Sequence, residues 1–181
     1  MSRDTAKHGM APVGAANARL LILGSLPGDL SIRQQQYYAH PQNQFWRILS
    51  SVFKTPLPAD YADQLALLEK HRVAVWDVLH NASRSGSLES AITAPVANDF
   101  RTFLESQPHI AAIGFNGQKA AALFKSCVAH PDVIARIASI SKVTLPSTSP
   151  AAAMTKLDEK IAKWRAFLIA TAPVISPAER P

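Results

Sequence analysis

Four short apolar runs constrain this chain more than any other feature. They are RLLILG over residues 19–24, VAVWDV over 73–78, IAAIGF over 110–115 and KVTL over 142–145. A strand with one wet face alternates apolar and polar side chains, whereas near-continuous runs are expected where both faces are covered. Between them lie segments of helical period. Residues 43–53 put Phe45, Ile48, Leu49 and Val52 on one stripe, and residues 61–71 do the same with Tyr61, Leu65 and Leu68. Residues 117–127 are alanine-rich, and residues 151–170 place Met154, Leu157, Ile161, Trp164 and Leu168 three or four apart. Strands alternating with helices predict the α/β class: a three-layer α/β/α sandwich around a central four-stranded parallel sheet.

The length of 181 residues suits one domain. It is expected over residues 18–171, with residues 1–17 and the proline-containing residues 172–181 as flexible ends. Hydrophobic residues at 48% supply enough apolar surface to form a core, which excludes a disordered chain. The longest apolar runs fall far below the ~20 residues of a membrane span, and the first residues lack the apolar stretch of a secretory leader. A cytoplasmic monomer with no membrane partner is the expectation. The lone Cys127 excludes an intramolecular disulfide framework, and the six histidines show neither HxH nor HxxxH spacing. No metal and no cofactor are therefore expected, and no GxSxG elbow marks a serine hydrolase. The net charge of +6 suits a polyanion, although the same excess also serves solubility.

In open α/β sheets ligands collect beyond the carboxyl ends of the strands. The segments that follow the apolar runs therefore carry the candidates. After the first run comes GSLPGDLS, where Ser25, Leu26, Pro27 and Gly28 could present backbone N–H groups to a phosphate or a base edge, or simply form a turn. QQQYYAHPQNQFW follows, with Pro41 and Gln42 fitting a helix start. There Tyr38 offers a stacking ring and His40 and Asn43 offer hydrogen bonds, although the aromatics also suit a core. Asp77 ends the second run, where a carboxylate needs a donor partner or a ligand; it reads either as a loop cap or as a site residue. Arg84 and Ser87 beyond it could bind phosphate, and Asn116 ends the third run. Ser147, Thr148, Ser149 and Pro150 close the fourth, with Ser149 as helix cap and Pro150 as first helical residue, or as a phosphate-holding loop.

Taken jointly, GSLPG (24–28), YYAHPQNQFW (37–46), WDV with RSGSLES (76–90), GFNG (114–117) and LPSTSP (145–150) resemble the uracil-DNA glycosylase superfamily. Within it the likeness is greatest to the hypoxanthine-DNA glycosylase family, collinear over about residues 18–170. The resemblance implies double-stranded DNA as partner, a base flipped out of the stack, and hydrolytic release of hypoxanthine from deoxyinosine, with uracil as a second substrate. By position it implies that Tyr38 stacks on the base and that Asn43 is catalytic. It also implies that Asp77 reads the base edge and that Ser147, Thr148, Ser149 and Pro150 form the loop that enters the minor groove. Leu26 departs from the Asn or Asp that the uracil enzymes carry there, which fits the hypoxanthine branch. No lysine stands at a motif position to form a Schiff base, so the expected enzyme is monofunctional. The alternatives are a uracil- or mismatch-specific uracil glycosylase and a non-catalytic damage-binding protein on the same fold.

Overall fold

A computed structural model describes residues 6–84 and 92–170. Its elements, in chain order, begin with strands β1 (Ala6–His8), β2 (Val13–Gly14) and β3 (Leu20–Gly24), and helices α1 (Asp29–Gln34), α2 (Phe45–Phe53) and α3 (Tyr61–Lys70). Next come β4 (Val73–Asp77), β5 (Leu79–Arg84), β6 (Ile92–Ala97), α4 (Phe100–Ser106) and β7 (Ala112–Asn116). Helices α5 (Gln118–Cys127) and α6 (Pro131–Ile137), strand β8 (Ser141–Leu145) and helix α7 (Leu157–Ala170) complete the described chain.

The four apolar runs form the parallel strands β4, β3, β7 and β8, side by side in that order, as expected. A fifth strand is added: β2 pairs antiparallel with β4 at the edge. Every residue of β3, β4 and β7 is buried, which is why these runs carry no polar alternation. Side chains of successive residues point to opposite faces. A Cβ at Gly114 would strike Phe167 of α7, at 2.8 Å, while its neighbour Phe115 packs on Phe124 of α5. Helices α5 and α7 therefore cover opposite faces, and the sandwich has three layers. Trp76 and Phe100 bring α4 to the α5 side, and the edge-on contact of Phe45 with Trp164 brings α2 to the α7 side.

Three expectations need correction. Residues 6–17, expected to be loose, hold β1 and β2, because their backbone groups pair with β5 and β4; residues 1–5 and the tail 172–181 lie outside the described residues. The segment after Asp77, to which the sequence assigned no strand, continues into β5, which forms a second, three-stranded sheet in the order β1-β5-β6. The last helix starts at Leu157 rather than Ala151. Ser149 and Pro150 open a turn instead, with Ala152 N–H donating to the Ser149 carbonyl and Ala151 N–H to Ser149 Oγ. A buried side chain, Lys160, takes the Ala152 carbonyl that a longer helix would use, and Met154 consequently lies off the buried stripe, fully exposed.

Candidate active site

The carboxyl ends of β3, β4, β7 and β8 open into one cavity of about 620 Å³. Its walls bring together residues far apart in sequence: Ser25, Leu26, Pro27 and Gly28; Tyr38, His40 and Asn43; Asp77; Asn116; and Ser147, Thr148, Ser149 and Pro150. The side chain of Arg84 and all of Ser87 lie outside the described residues.

Gly24 sits at the centre of one wall. A Cβ there would collide with Asp77 Oδ1 and lie 3.4 Å from the Tyr38 hydroxyl, so only glycine lets these two groups approach the strand end. Asp77 is 3% exposed. Its backbone is fixed by the parallel ladder with β3 and by Asn98 Nδ2, which donates to the Asp77 carbonyl at 2.8 Å. The Tyr37 hydroxyl donates to the Met10 carbonyl at 3.4 Å and lies within reach of the Asp77 charge. Burial, and then the Asp77 charge, push the Tyr37 phenol far above its ordinary range, so it stays a protonated donor.

Tyr38 is held in the left-handed region at φ 56°, uncommon for a bulky side chain. The peptides on both sides of it are pinned: Trp46 Nε1 donates to the Tyr37 carbonyl at 3.1 Å, and Ala39 N–H donates to Ser31 Oγ at 3.2 Å. One face of the Tyr38 ring stacks on Phe45, with centroids 4.0 Å apart and planes 24° from parallel. A strained residue over-determined by its neighbours in this way marks a position where placement of the ring matters.

Pro41 and Gln42 make a turn rather than the expected helix start. Asn43 N–H donates to the His40 carbonyl at 2.8 Å, and Gln42 N–H to His40 Nδ1 at 3.2 Å. Helix α2 begins at Phe45, whose N–H donates to Asn43 Oδ1 at 3.0 Å. That bond fixes the rotation of the amide, leaving Nδ2 and the second Oδ1 lone pair for a ligand or water.

The opposite wall is a tied loop. Asn116 accepts from Thr148 N–H and donates to Thr148 Oγ1, both at 2.9 Å, so the orientation of its amide is fixed. Trp164 Nε1 donates to the Pro146 carbonyl at 2.9 Å, and Gln44 N–H donates to the Thr148 carbonyl at 3.0 Å. Gly117, at φ 100°, packs against Ser147, which a Cβ would meet at 3.0 Å. Lys160 is 1% exposed and donates to Gln44 Oε1 and to the Ala152 carbonyl, both at 2.9 Å. Burial lowers its pKa. Sequence reasoning missed Tyr37, Arg33, Gln44 and Lys160. Lys160 was detectable, because it stands three residues after Leu157 and four before Trp164, on the stripe that should be apolar.

Among the described residues no group of His, Cys, Asp and Glu is arranged to hold a metal, and no helix is long and apolar enough to cross a membrane. An α/β/α sheet with its cavity at the strand ends defines the class. The model of the uracil DNA glycosylase superfamily matches residues 11–170, and the chain belongs to that superfamily. It is a DNA glycosylase. Two hypoxanthine DNA glycosylases, from Methanosarcina barkeri and Methanosarcina acetivorans, are 39% and 43% identical to it over 115 residues. Each match covers 63% of this chain and 73% of the relative. The solution NMR structure of a Methanosarcina acetivorans protein, provisionally assigned as a uracil DNA glycosylase, superposes with a TM-score of 0.77. That protein is 33% identical, and the superposition covers 92% of this chain and 99% of it.

Proposed function

We propose that the enzyme is monofunctional and hydrolytically excises hypoxanthine from deoxyinosine in duplex DNA, initiating base excision repair. The observation that carries the reading is the pairing of Tyr38 and Asp77 around Gly24: a positioned planar ring beside an acceptor carboxylate, in a cavity roomy enough for a purine. Hypoxanthine presents N1–H beside the O6 acceptor, whereas adenine has an acceptor at N1 and a donor at N6. An ionised Asp77 would accept N1–H while a backbone N–H of the GSLPG loop meets O6. Adenine would leave these groups unpaired, and unpaired buried groups are what makes such sites selective. Uracil also carries an N–H between two carbonyls, so the same carboxylate admits it as a second substrate. The names of the curated relatives favour hypoxanthine.

The glycosidic bond is hidden by stacking, so the nucleotide must leave the duplex before reaction. In the cavity Tyr38 would receive one face of the base, its other face resting on Phe45. The C1′–N9 bond breaks with its electron pair passing to the purine. Water held by Asn43 gives its hydroxyl to C1′, and its proton ends on the departing base. Leu26 brings no acid or base to this step, so orientation and stabilisation of the oxocarbenium-like state supply the rate. The loop of residues 147–150, with Arg33 at the cavity rim, would face the DNA backbone. No described lysine lines the cavity, and the Lys160 ammonium is tied to two acceptors, which fits hydrolysis without a Schiff base.

Incubation with duplexes carrying inosine, uracil or adenine, followed by alkali and strand sizing, tests the reading. Cleavage at inosine supports it. Cleavage at uracil alone transfers the enzyme to the uracil branch, and tight binding without cleavage makes it a damage-binding protein. Borohydride should trap no protein–DNA adduct.

A further inference from the structure

Lys160 is 1% exposed, and the two acceptors of its ammonium are both neutral: Gln44 Oε1 and the Ala152 carbonyl, each at 2.9 Å. It stands on the buried stripe of α7 with Trp164, Phe167 and Leu168. An apolar side chain there would serve the fold without drawing a charge out of water. A residue that breaks the local pattern at some loss of stability is expected where function needs it. Its neighbours show what that function is. Trp164, one helical turn on, meets Phe45 edge to face with centroids 5.8 Å apart. Helix α7 thus grips two consecutive residues at the entrance of α2, Gln44 by its side-chain amide and Phe45 by its ring. Asn43 precedes them, and its Oδ1 accepts from Phe45 N–H at 3.0 Å. Asn43 lines the cavity, and Lys160 stands behind it.

We propose that Lys160 is a positioning residue: through Gln44 it fixes the direction in which Asn43 presents its amide to the cavity. The proposal rests on the reading that Asn43 holds the attacking water. Gln44 is held at both ends, its N–H on the Thr148 carbonyl at 3.0 Å and its Oε1 on Lys160. On the other side, Asn43 N–H donates to the His40 carbonyl at 2.8 Å. The backbone around Asn43 is therefore pinned before and after it, and the bond to Phe45 N–H sets the side chain. Without Lys160, Gln44 loses the bond that stops its side chain from changing rotamer, and the peptide between Asn43 and Gln44 keeps one anchor. A displacement of about 1 Å can cost a reacting group about 10²-fold in rate. Lysine suits the task, because a bond from an ammonium is stronger than one between neutral groups. In the dry interior water does not compete for it.

The test uses the full chain and follows single-turnover cleavage of inosine duplex at rising enzyme concentration, for Lys160→Met, Gln44→Met and the double variant. Each single variant should lower the rate constant at saturation by about 10–100-fold. The half-saturating concentration should stay within about twofold of wild type. The double variant should be no slower than the slower single one, since both remove the same bond. In an Asn43→Ala background Lys160→Met should add less than about twofold, because nothing is left to position. An unchanged rate constant overturns the proposal. So does a loss confined to the half-saturating concentration, which would mean that Lys160 serves DNA binding alone. Losses that multiply, in the double variant or on Asn43→Ala, overturn it as well. If Lys160→Met does not fold, Gln44→Met, at a half-buried position, carries the same comparisons alone. A second readout needs no cleavage: the Asn43 side-chain amide signals in a heteronuclear NMR spectrum should move in both single variants. Unmoved signals overturn the proposal. Signals that move in an enzyme that leaves inosine intact would remove the substrate reading and leave the positioning role standing.

Discussion

Asp77 and Asn116 occupy equivalent places, each the last residue of a buried parallel strand facing the same cavity. Their surroundings differ. Both polar atoms of Asn116 are bonded to Thr148, a backbone-plus-hydroxyl pairing that fixes the amide against the loop. Asp77 is set near phenols: its charge helps raise the Tyr37 pKa, and the Tyr38 hydroxyl approaches the same side of Gly24. Asp77 thus brings an acceptor carboxylate to the cavity wall, where Asn116 brings a neutral amide. The comparison teaches that one strand end shapes the loop, while the other, in the proposed reading, would meet the base. A polar residue at a strand end is therefore not by itself a sign of chemistry.

The strongest way to break this contrast is Asp77→Asn. The amide is nearly isosteric but can turn a donor toward the base. Cleavage of inosine should fall by about 10³–10⁴-fold, since a mismatched hydrogen-bonding edge is rejected on that scale. The melting temperature should stay within a few degrees of wild type. Unchanged cleavage would return Asp77 to the same scaffolding duty as Asn116.

Asn43 comes next, and it combines both duties in one side chain. Asn43→Ala should lose about 10²–10³-fold in single-turnover rate, the scale of removing one stabilising polar group. It should also lose about 1 kcal/mol of stability, because the cap on Phe45 N–H goes with it. Asn43→Asp separates the two, keeping the capping oxygen and discarding the Nδ2 donor. Normal stability with a low rate in the Asp variant is expected; a wild-type rate there would show that the capping oxygen is all the site needs.

A smaller effect is expected at Tyr38. Base stacking contributes about 1–3 kcal/mol, so Tyr38→Ala should weaken binding to inosine duplex by about 10–100-fold, while Tyr38→Phe should bind as wild type. Equal affinities of the two variants would make the ring a core piece resting on Phe45.

The central strands were legible because burial on both faces leaves its mark on composition alone: β3, β4 and β7 read directly as apolar runs. Strand β8 was found from a shorter run, although Ser141–Thr144 are exposed at the sheet edge. The short strands β1 and β2 were not legible. Their pairing depends on partners 60 to 77 residues away in the chain, and three or two residues carry no period. Pattern also misplaced the start of α7. Residues 151–156 have helical composition, but the Ala152 carbonyl is taken by Lys160, a contact that spacing does not reveal. At the site, the strings around Gly24 and Asn43 were found from sequence, whereas the bonding of Asn116 to Thr148 was not. Asp77 and Asn116 are both polar residues ending an apolar run, and only the partner distinguishes them.

The smallest effect, and the one that sharpens the contrast from the other side, belongs to Asn116. Asn116→Ala removes two hydrogen bonds and strands the Thr148 N–H, a fully buried group, without an acceptor. Leaving a buried donor unmatched costs about 1–3 kcal/mol, so denaturant unfolding should show a loss in that range. Chemistry should suffer less, because Gln44, Trp164 and Lys160 still anchor the loop from three other points. The single-turnover rate should fall by less than about tenfold, below the loss from either Asn43 or Asp77. Asn116→Asp gives the finer discrimination. A carboxylate can still accept from Thr148 N–H, and the threonine hydroxyl can rotate to donate to it, so stability should recover toward wild type. If instead Asn116→Asp folds as wild type yet loses cleavage on the scale of Asp77→Asn, Asn116 touches the base, and the two strand ends share one function.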